Sequence, residues 1–441
     1  MKTQIKGILL ALVVFLGLQN FGQATEYEIT LKDSFNGQQY SVLGNINNSG
    51  EVVGFCYDIG PSSLLNTVAY VWDMNLDIIY ELPIENGYLC DLNDNGLSCG
   101  MLAPSNGDDG YIWNYRDNLI QYIGMDGNSI NNINEVVGTG ISDFNLSAQY
   151  YSETTGILEM GQSLNLDHYS HGLSINDNGY AIGYGDIYIA GKNKKKSFIY
   201  HKTEGERLLA EHPNYEDYIV AKINNIGNII GSILYNGLKI PCYWQTADSI
   251  PTLIDLPQGF ESGSCTAING DGTIILGVMT SSEQTQSAFI YNVPEQEINE
   301  LILNIDGLNI VGTYIGDINE SGWITGYIDL DDGSRKGLLL TPIIPNSAPV
   351  FTQRQDITVK KKTLVAFTVE ATDDDGDELT YSIDMADGSS VPSDVSFDSL
   401  SGSFSWKPGS AGLFRFLFKV TDGELTDEMF VTIEAVNGKV K

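Results

Sequence analysis

The side chains that could do chemistry are few and scattered. Two of the four histidines stand close together, in the run Asp167-His168-Tyr169-Ser170-His171. Two imidazoles and a carboxylate could hold a metal ion, but a connecting loop does not fix that geometry as a helix would. These residues read as polar loop positions, and His201 and His212 are isolated. No Ser/His/Asp or Cys/His arrangement can be assembled by motif. No carboxylate pair stands out as a glycosidase dyad among 57 acidic residues. No catalytic residue is therefore expected. Asp329-x-Asp331-Asp332-Gly333 is acidic and turn-like but lacks the remaining positions of an EF-hand loop. It reads as a polar turn. The cysteines, at 56, 90, 99, 242 and 265, fit no zinc spacing. Their odd number leaves at least one unpaired. Cys90 and Cys99 flank a turn symmetrically, so a disulfide between neighbouring strands is one reading and two buried thiols the other.

What positions these groups is a repeat. Residues 175–183 read INDNGYAIG, and six relatives share the pattern: INNSGEVVG from 46, LNDNGLSCG from 92, INNINEVVG from 130, INNIGNIIG from 223, INGDGTIILG from 268 and INESGWITG from 318. The key asparagines fall at 47, 93, 131, 176, 224, 269 and 319, in steps of 46, 38, 45, 48, 45 and 50. A period in this range marks a repeat architecture. Each core is an apolar residue, a turn rich in Asn, Asp and Gly, then a β-rich run, which is a hairpin signal. An aromatic-rich third run follows, as in Ala69-Tyr70-Val71-Trp72, and a weaker fourth run in six repeats. Four strands in about 45 residues is the arithmetic of a propeller blade. The last repeat lacks a fourth strand, and residues 27–31 supply a spare one, so the N-terminal strand is expected to close the ring. The loops between second and third strands vary most and should share one face, where binding usually lives. Tyr57, Tyr151, Tyr184 and Tyr188 are placed near that face, where they could stack on sugars or peptides.

Over residues 25–341 the chain resembles the extracellular HAF-repeat proteins, whose repeats carry an A-x-x-I-N-x-x-G-x-V-V-G core. It departs where they have His, since here the third strand reads Val68-Ala69-Tyr70 or Ser287-Ala288-Phe289. The resemblance implies fold and export and adds no activity.

Residues 1–24 carry Lys2 and Lys6, an apolar run over 7–18, and Gly22-Gln23-Ala24. That is the pattern of a signal peptide cut after Ala24. No other run is long enough for a transmembrane segment. The net charge of −34 excludes a basic nucleic-acid-binding surface and suits cations and solubility.

Residues 342–349 form a Pro-rich linker, and residues 350–441 change character. Seven short strand signals in about 90 residues read as an immunoglobulin-like sandwich, with Trp406 and Phe418 in its core. The segment resembles dystroglycan-type, cadherin-like modules. The carriers are Asn346-x-Ala348-Pro349, Ala371-Thr372-Asp373-Asp374-Asp375-Gly376-Asp377, Ser401-Gly402-x-Phe404-x-Trp406-x-Pro408 and Val420-Thr421-Asp422-Gly423. The resemblance implies a calcium ion held by Asp373, Asp375, Asp377 and Asp422 with Asn346. Clustered carboxylates suit Ca²⁺, which takes roughly six to eight oxygens. The Asp-Arg-Glu element of cadherins is absent, which weighs against a complete interdomain site.

The expected architecture is thus all-β: a seven-bladed β-propeller followed by an immunoglobulin/cadherin-like β-sandwich. The expected role is non-catalytic binding or adhesion at a cell surface or outside the cell, with a glycan or extracellular protein as partner. The competing expectation is a propeller enzyme, a lyase or hydrolase acting on polysaccharide. It requires acids, His or Tyr converging at the axis.

Overall fold

The computed structural model describes residues 13–14, 26–35, 38–59, 64–102, 109–142, 145–166, 169–189, 191–283, 285–343, 346–352, 356–374 and 376–438. Of the expected signal peptide only Val13–Val14 is described, a two-residue strand beside Tyr27 and Glu28. The chain forms two compact units, residues 1–343 and 344–441.

The first unit is a β-propeller. Its described strands form five four-stranded antiparallel sheets and one nine-stranded sheet, in which a single bridge between Arg335 and Tyr40 joins two further antiparallel groups; the groups are here called blades 1 to 7 in chain order. Their first, inner strands are Tyr40–Ile46, Gly87–Leu92, Asp126–Ile130, Ser170–Ile175, Tyr218–Ile223, Phe260–Ile268 and Ile310–Ile318. Blade 7 takes its fourth strand from the other end of the chain: Glu26–Lys32 pairs antiparallel with Arg335–Ile343. A ring closed in this way protects a third strand that would otherwise be an open edge. The last strand runs to Ile343, into the segment read from sequence as linker.

The recurring glycine of each second strand has a structural cause. Each inner strand is irregular just before its asparagine, with register shifts at 89/91, 127/129, 172/174, 220/222, 265/267 and 315/317, and at 43/46 in blade 1. A bulge bends the strand and changes which way the following side chains point. The bent backbone presses on the facing glycine. A Cβ at Gly100 would meet the Tyr88 carbonyl oxygen at 1.9 Å, and one at Gly326 the Tyr314 oxygen at 2.0 Å. The third-strand residue opposite is large and buried in most blades. Tyr70 lies against Gly54, Phe198 against Gly183 and Phe289 against Gly277. The aromatic third strands foreseen from sequence therefore pack where the glycine leaves room.

The second unit is a small sandwich. One sheet orders Ile357–Lys360, Thr426–Val436, Gly412–Thr421 and Thr380–Met385, and the other Val365–Thr368, Ser403–Trp406 and Ser396–Phe397. Alternate residues of Gly412–Thr421 turn inward, so Phe416, Phe418 and Val420 are fully buried beside Phe404 and Trp406.

Gly326→Ala is expected to lower the stability of the propeller by about 1–3 kcal/mol, the usual cost of forcing atoms into a packed site. Gly44→Ala, whose Cβ would meet only ordinary contacts at 3.4 Å, should change it by less than about 0.5 kcal/mol. Calorimetric melting of both variants measures the difference.

Candidate functional site

The seven key asparagines meet around the axis. Each first closes its own turn. Asn131 Oδ1 accepts the amides of Ile133 and Glu135, and Asn176 Oδ1 those of Asn178 and Tyr180. The side chain is thereby fixed, and its Nδ2 is aimed at the neighbouring blade. Asn47 donates to the Asn93 carbonyl (3.1 Å), Asn93 to Asn131 (2.9 Å), Asn131 to Asn176 (3.0 Å), Asn176 to Asn224 (2.9 Å) and Asn224 to Asn269 (3.0 Å). Asn319 donates to Asn47 (3.1 Å) and joins the last blade to the first. The one missing link is in blade 6, whose turn is a residue longer. There Asn269 Nδ2 turns back to Thr273 Oγ1 (3.1 Å).

The next residue of each repeat makes a second ring at the mouth. Asn48 N donates to Asp94 Oδ1, Asp94 N to Asn132, Asn132 N to Asp177 and Asp177 N to Asn225. Glu320 N donates to Asn48 Oδ1 at 3.0 Å, and Gly270, which has no side chain, leaves the ring open between Asn225 and Glu320. Acids and amides alternate, so Asp94, Asp177 and Glu320 do not touch one another. Asp177 Oδ2, for example, accepts from both Asn132 (3.1 Å) and Asn225 (2.8 Å).

Below the rings the bulges turn a third set inward, two positions before each asparagine. Asp91, Lys222 and Asp317 converge there in a polar cavity of about 140 Å³. Lys222 Nζ is paired with Asp317 Oδ1. Asp317 Oδ2 accepts the Ile46 amide at 3.2 Å. Asp91 accepts from Asn45 Nδ2 (3.0 Å), Ser129 Oγ (2.8 Å) and the Ile130 amide (3.1 Å). Burial opposes the charge of Lys222, and the carboxylates of Asp317 and Asp91 outweigh it, holding the lysine above its ordinary pKa. Burial pushes the Asp91 carboxyl up, against the pull of Lys222. Sequence reading missed this trio because its members share only a position within the repeat.

The opposite, loop face carries aromatic groups in two places. In blade 4 the ring of His171 lies 5.3 Å from that of Tyr184, and Lys195 Nζ sits 5.3 Å above Tyr184. Tyr188 on the same hairpin is 65% exposed. Between blades 7 and 1, Arg335 lies 3.9 Å over Tyr327, which stacks on Tyr314 at 4.4 Å. Arg335 also grips Asp329 (2.7 and 3.0 Å) and donates to the Tyr57 hydroxyl (2.8 Å). Tyr57 is buried and stacks on Tyr40.

Several sequence expectations change here. Tyr151 is not on this face. It pairs with Val136, beside the Asn131 turn at the other end of the blade, and its hydroxyl accepts from Gln121. The third strand runs away from the loop face, and Tyr151 is near its end. Cys90 and Cys99 are free thiols. The bulge places Asp91, not Cys90, opposite Cys99. Asp167 and His168 lie outside the described residues. His171 Nδ1 meets Thr139 Oγ1 (3.2 Å), and burial with Lys195 nearby lowers its pKa. The acidic run in blade 7 disperses: Asp329 binds Arg335, Asp331 accepts from Asn309, and Asp332 caps Ser334.

In the second unit Asn346 Nδ2 donates to Asp422 Oδ2 at 3.1 Å. The other Asp422 oxygen accepts the Glu424 and Leu425 amides (both 2.7 Å). Those bonds, from Leu425 first, hold its carboxyl below the usual range. Asp373 Oδ1 accepts the amides of Gly376 and Asp377. The structure brings Asn346 and Asp422 together and puts Asp373 and Asp377 in one turn. Asp375 lies outside the described residues. Among those described, no group of three or more potential ligands is gathered as a metal site.

Residues 348–435 match the family model of a Putative Ig domain. No curated protein matches the chain. Among solved structures it is similar to virginiamycin B lyase from Staphylococcus aureus (10% identity, 72% of this chain and 100% of that one, TM-score 0.45). It is similar to TolB from Acinetobacter baumannii (10% identity, 70% and 86%, TM-score 0.35). A putative alpha-galactosidase/melibiase from Bacteroides fragilis matches at 13% identity over 21% of this chain (TM-score 0.18), and the chain spans 18% of that protein's length. Among the described residues no helix is long and apolar enough to cross a membrane.

Asn176→Ala deletes three hydrogen bonds, one of them the buried link to the Asn224 carbonyl. It is expected to cost the propeller about 2–4 kcal/mol in urea unfolding. Asn269→Ala, which breaks no link between blades, should cost at least about 1 kcal/mol less. Lys222→Met leaves the buried Asp317 carboxylate without its ion pair, at a cost of about 3–5 kcal/mol near neutral pH. Adding Asp317→Leu should return part of that. The lysine's pKa is raised on folding, so its contribution is complete below the ordinary lysine pKa, about 10.4. It is lost as the pH climbs through the folded value. The gap between wild type and Lys222→Met should hold at neutral pH and narrow only in strong alkali.

Proposed function

We propose that this is a secreted or cell-surface binding protein that does no chemistry of its own. Its loop face holds a glycan, and the C-terminal module acts as a calcium-stiffened contact or spacer unit. The observation that carries the reading is the contrast between the two ends of the propeller. At the axis the carboxylates of Asp91, Asp94, Asp177 and Asp317 are each engaged by a side chain of another blade. On the loop face Tyr184 and Tyr188 of blade 4 present aromatic surface beside Lys195. Aromatic rings with polar tips bind sugars well because one body supplies both apolar contact and a hydrogen bond. Export is supported by the basic, then apolar, then small-residue order of residues 1–24. The repeat is of HAF type and the second unit is a dystroglycan-type, cadherin-like module in this reading.

The polysaccharide-enzyme reading finds its best footing in Asp91, Lys222 and Asp317. Their cavity, about 140 Å³, is below the roughly 300–1,000 Å³ of ligand pockets. Lys222 also neutralises the acids that would have to act.

A glycan array probed with the mature protein tests the binding role. The expected result is retention of a defined glycan, weakened at least tenfold by Tyr184→Ala with Tyr188→Ala, without loss of melting temperature. Retention unchanged in that variant would remove the loop face from the reading. Turnover of a polysaccharide that disappears in Asp91→Asn would replace binding with catalysis.

Calcium is tested separately. Calorimetric titration of the whole mature chain should show binding with a dissociation constant of about 0.1–1 mM, as in extracellular modules. Melting of the second unit should rise with calcium and fall with EDTA. Asp375→Ala should abolish both effects. Absence of heat and of any shift would leave that unit a plain spacer.

A further inference from the structure

The seam where the first and last strands of the propeller pair leaves a groove of about 550 Å³ on its flank. That volume lies within the range of ligand sites. Alternation along Glu26–Lys32 builds one wall. Tyr27, Ile29 and Leu31 face the core shared by blades 6 and 7, so Glu28, Thr30 and Lys32 face the groove. Trp323 and Leu339 of blade 7 continue that wall, and Trp72, Met74 and Asp77 of blade 1 form the other.

Lys32 is the anomaly. It is 7% exposed and lines the groove. Its ammonium lies 4.2 Å over the ring of Trp72. Among the described residues it has no ion pair and no hydrogen bond. None of the nearby carboxylates forms an ion pair or hydrogen bond with it. Asp77 accepts the Trp72 indole N–H at 3.2 Å, and Asp33 is paired with Lys336. Glu28 is four residues along the strand, about 13 Å away at strand spacing. Burial lowers the Lys32 pKa, against the upward pull of Asp77. A buried ammonium without an acceptor is costly, and proteins rarely keep one unless something pairs with it.

We infer that this groove binds an acidic sugar, with the carboxylate of a uronic acid on Lys32 and its ring against Trp323. Each part of the ligand answers a feature of the wall. The carboxylate supplies the missing acceptor. The apolar face of a pyranose ring covers the indole of Trp323, which is only partly buried. Thr30 and Thr341 offer hydroxyls, and Asp77 and Glu28 offer acceptors, to the sugar hydroxyls. The site is independent of the loop face: Tyr184 and Tyr188 take no part in it, and their variants leave it unchanged.

The test is a fluorescence and calorimetric titration of the mature protein with oligogalacturonate and with its fully methyl-esterified form. Two of the five tryptophans, Trp72 and Trp323, line the groove and report binding. The acid should bind and change the emission, and the uncharged ester should bind at least tenfold more weakly. Lys32→Met should erase that preference while keeping or raising the melting temperature, because it replaces a buried charge with apolar volume. Trp323→Leu should weaken the acid at least tenfold and decides the matter if Lys32→Met does not fold. Equal binding of acid and ester, no binding of the acid below about 1 mM, a preference that survives Lys32→Met, or undiminished affinity in Trp323→Leu would each overturn the site. Capture of an acidic peptide in place of the oligosaccharide would also overturn it, in favour of a protein partner.

Discussion

The side-chain amide of Asn131 donates to the carbonyl of Asn176, whose own amide donates to that of Asn224. The relay depends on the asparagine being locked before it reaches across. Its Oδ1 holds two amides of its own turn, so little rotamer freedom remains to be lost when Nδ2 finds the neighbour. Each bond is worth about 1 kcal/mol net. Their arrangement matters more than their sum, because the link from Asn319 to Asn47 ties the last blade to the first. The relay also fixes turn length. Blade 6 has one residue more, its asparagine caps Ile274 instead of the residue four on, and its donor no longer reaches Asn319.

The same hairpins need the bulge. Without it the residue two before the asparagine would follow the simple alternation of the strand and would not be free to face the axis. With it, Asp91, Lys222 and Asp317 point into one small cavity. Three charged groups there are not a gain in stability over apolar filling. They do fix which blades face one another across the axis, since Lys222 has acid partners only in blades 2 and 7. The bulge in turn needs a glycine opposite, and the glycine leaves room for a third-strand ring. Asparagine, bulge, glycine and aromatic residue are thus one mechanical unit, copied with small errors around the ring.

That dependence explains how much was legible in the sequence. The asparagine spacing, the glycine eight or nine positions after the turn begins, the aromatic third run and the spare strand at 27–31 all follow from local periodicity, and the structure uses each of them. Trp406 and Phe418 were readable as core for the same reason. What failed was everything that depends on register across a bulge. Counting symmetrically from the turn puts Cys90 opposite Cys99, and one extra residue in the strand puts Asp91 there. Tyr151 was misplaced because strand direction, not distance from the repeat, decides which end of the blade a residue occupies. The axial trio was visible only after aligning all repeats at the second position before asparagine, where Asn45, Asp91, Ser129, Ser174, Lys222, Ala267 and Asp317 stand. The groove at Lys32 needed the ring closure itself, since one of its walls joins Thr30 to Leu339 and Glu28 to Thr341, residues far apart in the chain.

The acidity of the chain has a similarly local origin. Asp271, Asp332, Asp387 and Asp398 each accept bonds from a serine, threonine or backbone amide two or three residues on, which lowers their pKa. Turn chemistry thus gives these four acids a local structural role. It also bears on calcium. Asp373 and Asp422 already hold backbone amides through one oxygen each. Both carboxylates are thereby oriented by their own turns, and for Asp422 the bonds from Leu425 and Glu424 also favour the ionised form. The order of Asp373 and Asp422 thus comes from their own turns, so the calcium ion proposed for this unit would find them already placed.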